Sequence, residues 1–129
     1  MAEGFFLHQL KENNYFNHVS SAGVNALVDY PADKNACEVM KQDGIDISQH
    51  RAKQLTLDLV KKADLIFVMT KSHLDIVTQQ FQTAKGKTFL LGYWHGFEIQ
   101  DPYTQPLEAF KKIYQQIKIA WQEWKTRIL

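Results

Sequence analysis

Apolar positions recur along this chain at two alternating spacings, and each stretch predicts an element. From Ala2 to Asn13, Phe5, Phe6, Leu7 and Leu10 gather largely on one side at three-to-four spacing, which predicts a helix docked on a sheet. Val19 to Val24 is a short strand candidate. Pro31 is placed to start a second helix through Ala36, Val39 and Met40, with Asp33 near its positive end and Gly44 as its stop. Thr56 caps a short helix through Leu59 and Val60. Leu65 to Met69 then runs apolar without a break, as in a strand covered on both faces and therefore central in its sheet. Ser72 to Phe81 reads as helix and Thr88 to Leu91 as the last strand. Leu107, Phe110, Ile113, Tyr114, Ile117, Trp121 and Trp124 form the stripe of a long closing helix. Helix and strand signals alternating across short connections are the grammar of an α/β fold.

Composition narrows the classes of function. A chain of 129 residues is expected to be one domain, 1–129, with a core that needs no staples. Fifteen Lys and Arg against fourteen Asp and Glu leave a charge of +1, without the broad basic face that a phosphate backbone demands, so nucleic acid is not an expected partner. The single cysteine, Cys37, excludes an intrachain disulfide framework and a C-x-x-C motif, which fits a reducing cytosol. His8, His18, His50, His73 and His95 show no ligand spacing, and no metal or other cofactor is expected. No eighteen-residue apolar run is present and Met1 to Leu10 lacks the pattern of a leader, so membrane insertion is not expected and the localisation reads as cytoplasmic.

Six segments in register carry a family resemblance over essentially the whole chain. They are Met1-Ala2-Glu3-Gly4, Ser20-Ser21-Ala22-Gly23 with Ala26-Leu27-Val28, Gly44-Ile45-Asp46 through His50-Arg51-Ala52, Asp64 to Met69, Leu90 to Trp94, and Asp101-Pro102-Tyr103. Together they resemble the bacterial low-molecular-weight tyrosine phosphatases. The Leu27 and Gly92-Tyr93-Trp94 neighbourhoods are most similar to the subgroup associated with exopolysaccharide export and its tyrosine kinases. The resemblance implies a three-layer α/β/α domain around a parallel sheet of four strands. It also implies phosphotyrosine hydrolysis through a cysteinyl-phosphate, with a phosphotyrosine protein or a tyrosine kinase as partner. Asp101 then matches the general acid, Leu27 and Tyr103 the two walls that flank the substrate ring, and Ser21 and His50 the side chains that support the phosphate loop. The alternatives are a solvated turn aspartate, a core leucine, a turn tyrosine, a strand-end serine and a surface histidine.

The nucleophile of that family is a thiolate in a C-x5-R loop, and six residues after Cys37 stands Asp43. Cys37 lies inside a predicted helix close to Asp33 and Glu38, without the electropositive setting that lowers a thiol pKa, so its expected role is structural. A relay through several cysteines, as in arsenate reductases of similar fold, is excluded by the single thiol. The resemblance places a first strand and the C-x5-R loop ahead of Met1, so either the start falls on an internal methionine or the chain is truncated. Residues 1–129 are accordingly expected to be inactive alone, with Ser21 and His50 bracing nothing. The competing expectation is a pseudophosphatase, a binding module that docks a kinase or another protein through the pocket rim or the tryptophan-bearing helix.

The absent strand would lie between Val19–Val24 and Leu65–Met69, leaving two strands to face a gap. Ladder bonds at about 1 kcal/mol each and central apolar side chains at about 1.5–3 kcal/mol apiece rival the roughly 5–15 kcal/mol that holds a domain together. Marginal stability and self-association through the gap are the expected consequences.

Overall fold

A computed structural model describes residues 1–129. Helix α1 spans Ala2–Glu12, α2 Lys34–Gln42, α3 Leu57–Lys62, α4 Lys71–Gln80 and α5 Leu107–Ile128, while strands β1 Ile66–Val68 and β2 Thr88–Leu90 pair in parallel. The register sets Ile66 against Thr88, Phe67 against Phe89 and Val68 against Leu90. Successive strand side chains point to opposite faces. Phe67 and Phe89 therefore join the larger core with α1, α2 and α5, whereas Ile66, Val68 and Leu90 join the smaller core with α3 and α4. Helices thus cover both faces of a parallel sheet, as the alternation of signals predicts.

Local chemistry accounts for the helix boundaries. Asp33 Oδ1 accepts the Asn35 N–H at 2.8 Å, Thr56 Oγ1 the Leu59 N–H at 3.3 Å and Thr70 Oγ1 the His73 N–H at 3.3 Å, each satisfying a donor that the first turn leaves without a partner. Gly44, at φ +73°, supplies the left-handed residue that ends α2, while the Ile45 N–H returns to the Met40 carbonyl at 3.0 Å. At the far end of α3, Lys87 Nζ donates to the carbonyls of Val60 at 2.7 Å and Ala63 at 2.6 Å, placing a cation on the negative end of that helix. Trp124 Nε1–H donates to the Leu91 carbonyl at 2.7 Å and pins α5 to the exit of β2. Trp121 and Trp124 are buried in the packing stripe, while Trp94 is half exposed beneath the Arg127 guanidinium, 3.8 Å from its ring centroid.

Three expectations are corrected. Val19 to Val24 forms no strand; its one ladder contact is a parallel bridge between Gly23 and Gln54. Ser20, Ser21, Ala22 and Gly23 are poor strand formers, and a strand exists only where a neighbour completes its ladder. Helix α2 begins at Lys34 rather than Pro31, because Asp33 takes the cap position and Pro31 forms an antiparallel bridge with Arg51. Strand β1 has β2 as its single partner and is an edge of a two-stranded sheet, so its apolar character reflects helices on both faces rather than strands on both sides.

Candidate functional site

Asp101 opens a tight turn that follows from its own sequence. Its Oδ1 accepts the Tyr103 N–H at 3.0 Å, Pro102 fixes the next φ, and the Gln105 N–H closes on the Pro102 carbonyl at 2.9 Å. Thr104 is forced into the left-handed region at φ 68°. Pro102 is buried while Asp101 and Tyr103 are exposed, so the turn is rooted at its proline and presents the carboxylate to solvent. The root continues backward: the Ile99 N–H donates to the Met69 carbonyl at 2.9 Å, and Glu98 Oε1 accepts the Lys71 N–H at 2.6 Å.

This turn borders a cavity of about 550 Å³ where β1 passes into α4. Thr70, Ser72 and His73 contribute the first turn of α4, Glu98 and Asp101 come from the loop between β2 and α5, and Ile113 and Ile117 come from α5. A hydroxyl pair, an imidazole, two carboxylates and two isoleucines therefore line one cavity. Cys37 does not line this cavity. It sits half buried in α2, with Sγ 3.9 Å from the Ala32 carbonyl, a contact that suits a packed thiol. Asp43, six residues later, caps α2 and accepts from the Tyr114 hydroxyl at 2.6 Å and from Lys118 Nζ at 3.4 Å. The Tyr114 hydrogen bond, reinforced by the Lys118 charge, holds the Asp43 carboxyl below the usual aspartate range although partial desolvation opposes it. No three His, Cys, Asp or Glu side chains lie close enough together to hold a metal ion.

Ser21 and His50 meet at one carboxylate. Ser21 Oγ donates to Glu3 Oε1 at 3.0 Å, and His50 Nδ1 lies 3.3 Å from Glu3 Oε2. Both side chains thus contact the first turn of α1 through Glu3. Leu27 and Tyr103 are 59% and 63% exposed, and neither lines the cavity that Asp101 borders. Leu27 belongs to a turn closed by the Tyr30 N–H on the Leu27 carbonyl at 3.1 Å and tied to the 50s loop by Asp29 N–H to Ala52 O at 2.8 Å. The side-chain amide of Asn35, at the start of α2, donates weakly to the Gln105 carbonyl at 3.4 Å and brings that side of the molecule to the Asp101 loop.

Glu98 and Thr70 are unmarked in the sequence, and Glu3 appears there only within the Met1-Ala2-Glu3-Gly4 segment. Glu3 carried one usable signal, an acidic residue in a first helical turn, which marks a helix start without revealing that Ser21 and His50 converge on it. Glu98 carried only its position three residues before Asp101.

The family model for low molecular weight phosphotyrosine protein phosphatase matches residues 1–129. A probable low molecular weight protein-tyrosine-phosphatase of Ralstonia nicotianae, EpsP, is 44% identical over 110 residues, which are 85% of this chain and 76% of the relative. The low molecular weight protein-tyrosine-phosphatase Etp of Escherichia coli is 38% identical over 111 residues, 85% of this chain and 75% of the relative. Among solved structures, Vibrio vulnificus Wzb in complex with benzylphosphonate superposes with a TM-score of 0.90 at 39% identity, covering 98% of this chain and 88% of that one. With the family model matching residues 1–129 and the fold shared with solved members, this chain belongs to the low molecular weight phosphotyrosine protein phosphatase family.

Proposed function

We propose that this chain is a phosphotyrosine-handling phosphatase domain in which Asp101 protonates the departing tyrosyl oxygen, while residues 1–129 by themselves lack the group that attacks phosphorus. The carrying observation is the setting of the one thiol: Cys37 is packed in α2 away from the cavity, and the residue six positions on is Asp43, bound to Tyr114. In the reaction a thiolate forms a bond to phosphorus as the aryl ester P–O bond breaks, and the acid delivers its proton to the leaving oxygen. Water later releases the phosphoryl group, with the same carboxylate taking the proton. Donors and a guanidinium must cradle the phosphoryl oxygens throughout.

A positioned acid typically contributes about 10²–10⁴, against accelerations of up to ~10²¹ for phosphate monoesters. Asp101 on its own is therefore no phosphatase, and Cys37, which lies away from the cavity, does not supply the attacking group. Leu27 and Tyr103 serve as the apolar flanks of the substrate ring, and Ser21 with His50 stabilises the first turn of α1 through Glu3. The substrate is a phosphotyrosine protein or a tyrosine kinase, in the manner of exopolysaccharide-associated bacterial members, and the setting is cytoplasmic.

A second reading is a non-catalytic module that docks such a partner. It is favoured by the exposed apolar side chains of Leu27, Val28, Tyr30 and Tyr103. Hydrolysis of para-nitrophenyl phosphate by the 129-residue protein tests the principal reading, with no turnover above a buffer blank as the expected result. Turnover without any added polypeptide refutes it. Saturable binding of a phosphotyrosine protein without hydrolysis, weakened by Tyr103→Ala, would favour the second reading.

A further inference from the structure

Glu98 is the one side chain that bonds the segment before Asp101 to α4, through the Lys71 N–H at 2.6 Å. The next residue, Ile99, donates its N–H to the Met69 carbonyl at 2.9 Å and buries its side chain to 2% exposure. Two consecutive residues thus grip the corner where β1 turns into α4, and only Gln100 separates that grip from Asp101. Beyond it, Pro102 alone is buried among residues 100–106, apart from the exposed turn it roots. The placement of Asp101 therefore depends on the base of its loop.

The grip has a physical reason to be firm. The first turn of α4 presents N–H groups without helical partners and the positive end of the helix dipole. Thr70 takes the His73 N–H and the Glu98 carboxylate takes the Lys71 N–H. A carboxylate on a backbone N–H makes a bond about twice as strong as a neutral one. That helix end is thereby filled by the protein's own anion.

We propose that Glu98 is the positioning residue of the acid loop: clamped to α4, it sets how far the Asp101 carboxylate reaches into the cavity. This rests on the reading of Asp101 as proton donor. A donor must come within hydrogen-bond reach of the leaving oxygen, and a misplacement of about 1 Å can reduce a rate by roughly 10². Glu98 itself touches no reacting atom.

The test is amide hydrogen exchange and NMR on the 129-residue protein, comparing wild type with Glu98→Ala and Glu98→Gln. The Ala variant should speed exchange of both the Lys71 and Ile99 amides by about tenfold and shift the Tyr103 amide and Asp101 carboxyl signals, with Val77 and Leu91 unchanged. The Gln variant keeps an acceptor at similar reach and should restore most of the protection and the wild-type signals. Loss of protection at Lys71 alone would overturn the proposal, since Glu98 would then be only a helix cap. Uniform loss at every amide, or a Gln variant indistinguishable from Ala, would overturn it as well. Exchange reports the clamp whether or not Asp101 donates a proton, so failure here is separate from failure of the phosphatase assay.

Discussion

Tyr114→Phe should destabilise this protein by about 1–1.5 kcal/mol at neutral pH. The ring is 3% exposed and sits edge-on to Phe5 at 5.7 Å between centroids, so the substitution leaves the packing in place and removes one hydroxyl. That hydroxyl donates to Asp43 Oδ2 at 2.6 Å. A hydrogen bond to a charged group contributes roughly 1.5–3 kcal/mol, but the Asp43 side chain is 44% exposed and water can replace the lost donor, which reduces the figure to the lower value.

The pH dependence follows from the two directions of shift. The Tyr114 hydrogen bond depresses the Asp43 carboxyl, so its contribution is present above the unfolded aspartate pKa of about 4 and is lost as pH falls through the folded value. Burial, then Asp43, pushes the Tyr114 hydroxyl up; that contribution is present below the unfolded tyrosine pKa of about 10 and is lost as pH rises through the folded value. The difference between wild type and variant should therefore be flat from about pH 5 to 9 and shrink toward pH 3. Urea unfolding followed by circular dichroism at pH 7 and pH 3 measures it. A difference below about 0.3 kcal/mol at pH 7, or one of equal size at both pH values, would refute the reasoning.

Gly92→Ala should cost about 1–3 kcal/mol, because its Cβ would collide with the Phe97 carbonyl oxygen and ring across a turn closed by the Phe97 N–H on Gly92 O; an unchanged thermal midpoint would contradict this. Lys87→Met keeps the stem but removes the cation from the Val60 and Ala63 carbonyls, and a loss of about 2–3 kcal/mol in urea unfolding is expected, with less than about 0.5 kcal/mol counting against the cap.

How far the sequence foretells this molecule depends on whether a signal is local. Helix α5 follows from a stripe of seven apolar positions, and the stop of α2 follows from Gly44, since both are set by neighbours in the chain. Strand pairing is not local. Val19 to Val24 has a strand's boundaries, yet the chain there makes only the Gly23–Gln54 bridge, and nothing in its own residues says whether a neighbour completes the ladder. The site divides in the same way. The Asp101 turn is written in three consecutive residues, whereas the convergence of Ser21 and His50 on Glu3 spans nearly fifty positions and becomes visible only in the folded chain. Asp43 is the clearest instance: by spacing it is the place where an arginine is wanting, and in the structure it is the clasp between α2 and α5.

All three indoles, those of Trp94, Trp121 and Trp124, belong to α5 or to the turn that leaves β2, and the layer formed by α3 and α4 has none. Intrinsic fluorescence is consequently a one-sided reporter. Loosening of α5 should change the emission at once, as Trp124 loses its carbonyl partner and Arg127 lifts from Trp94. Loosening of the opposite layer should pass optically silent, so an unfolding curve followed by emission is a melting curve for one half of the molecule.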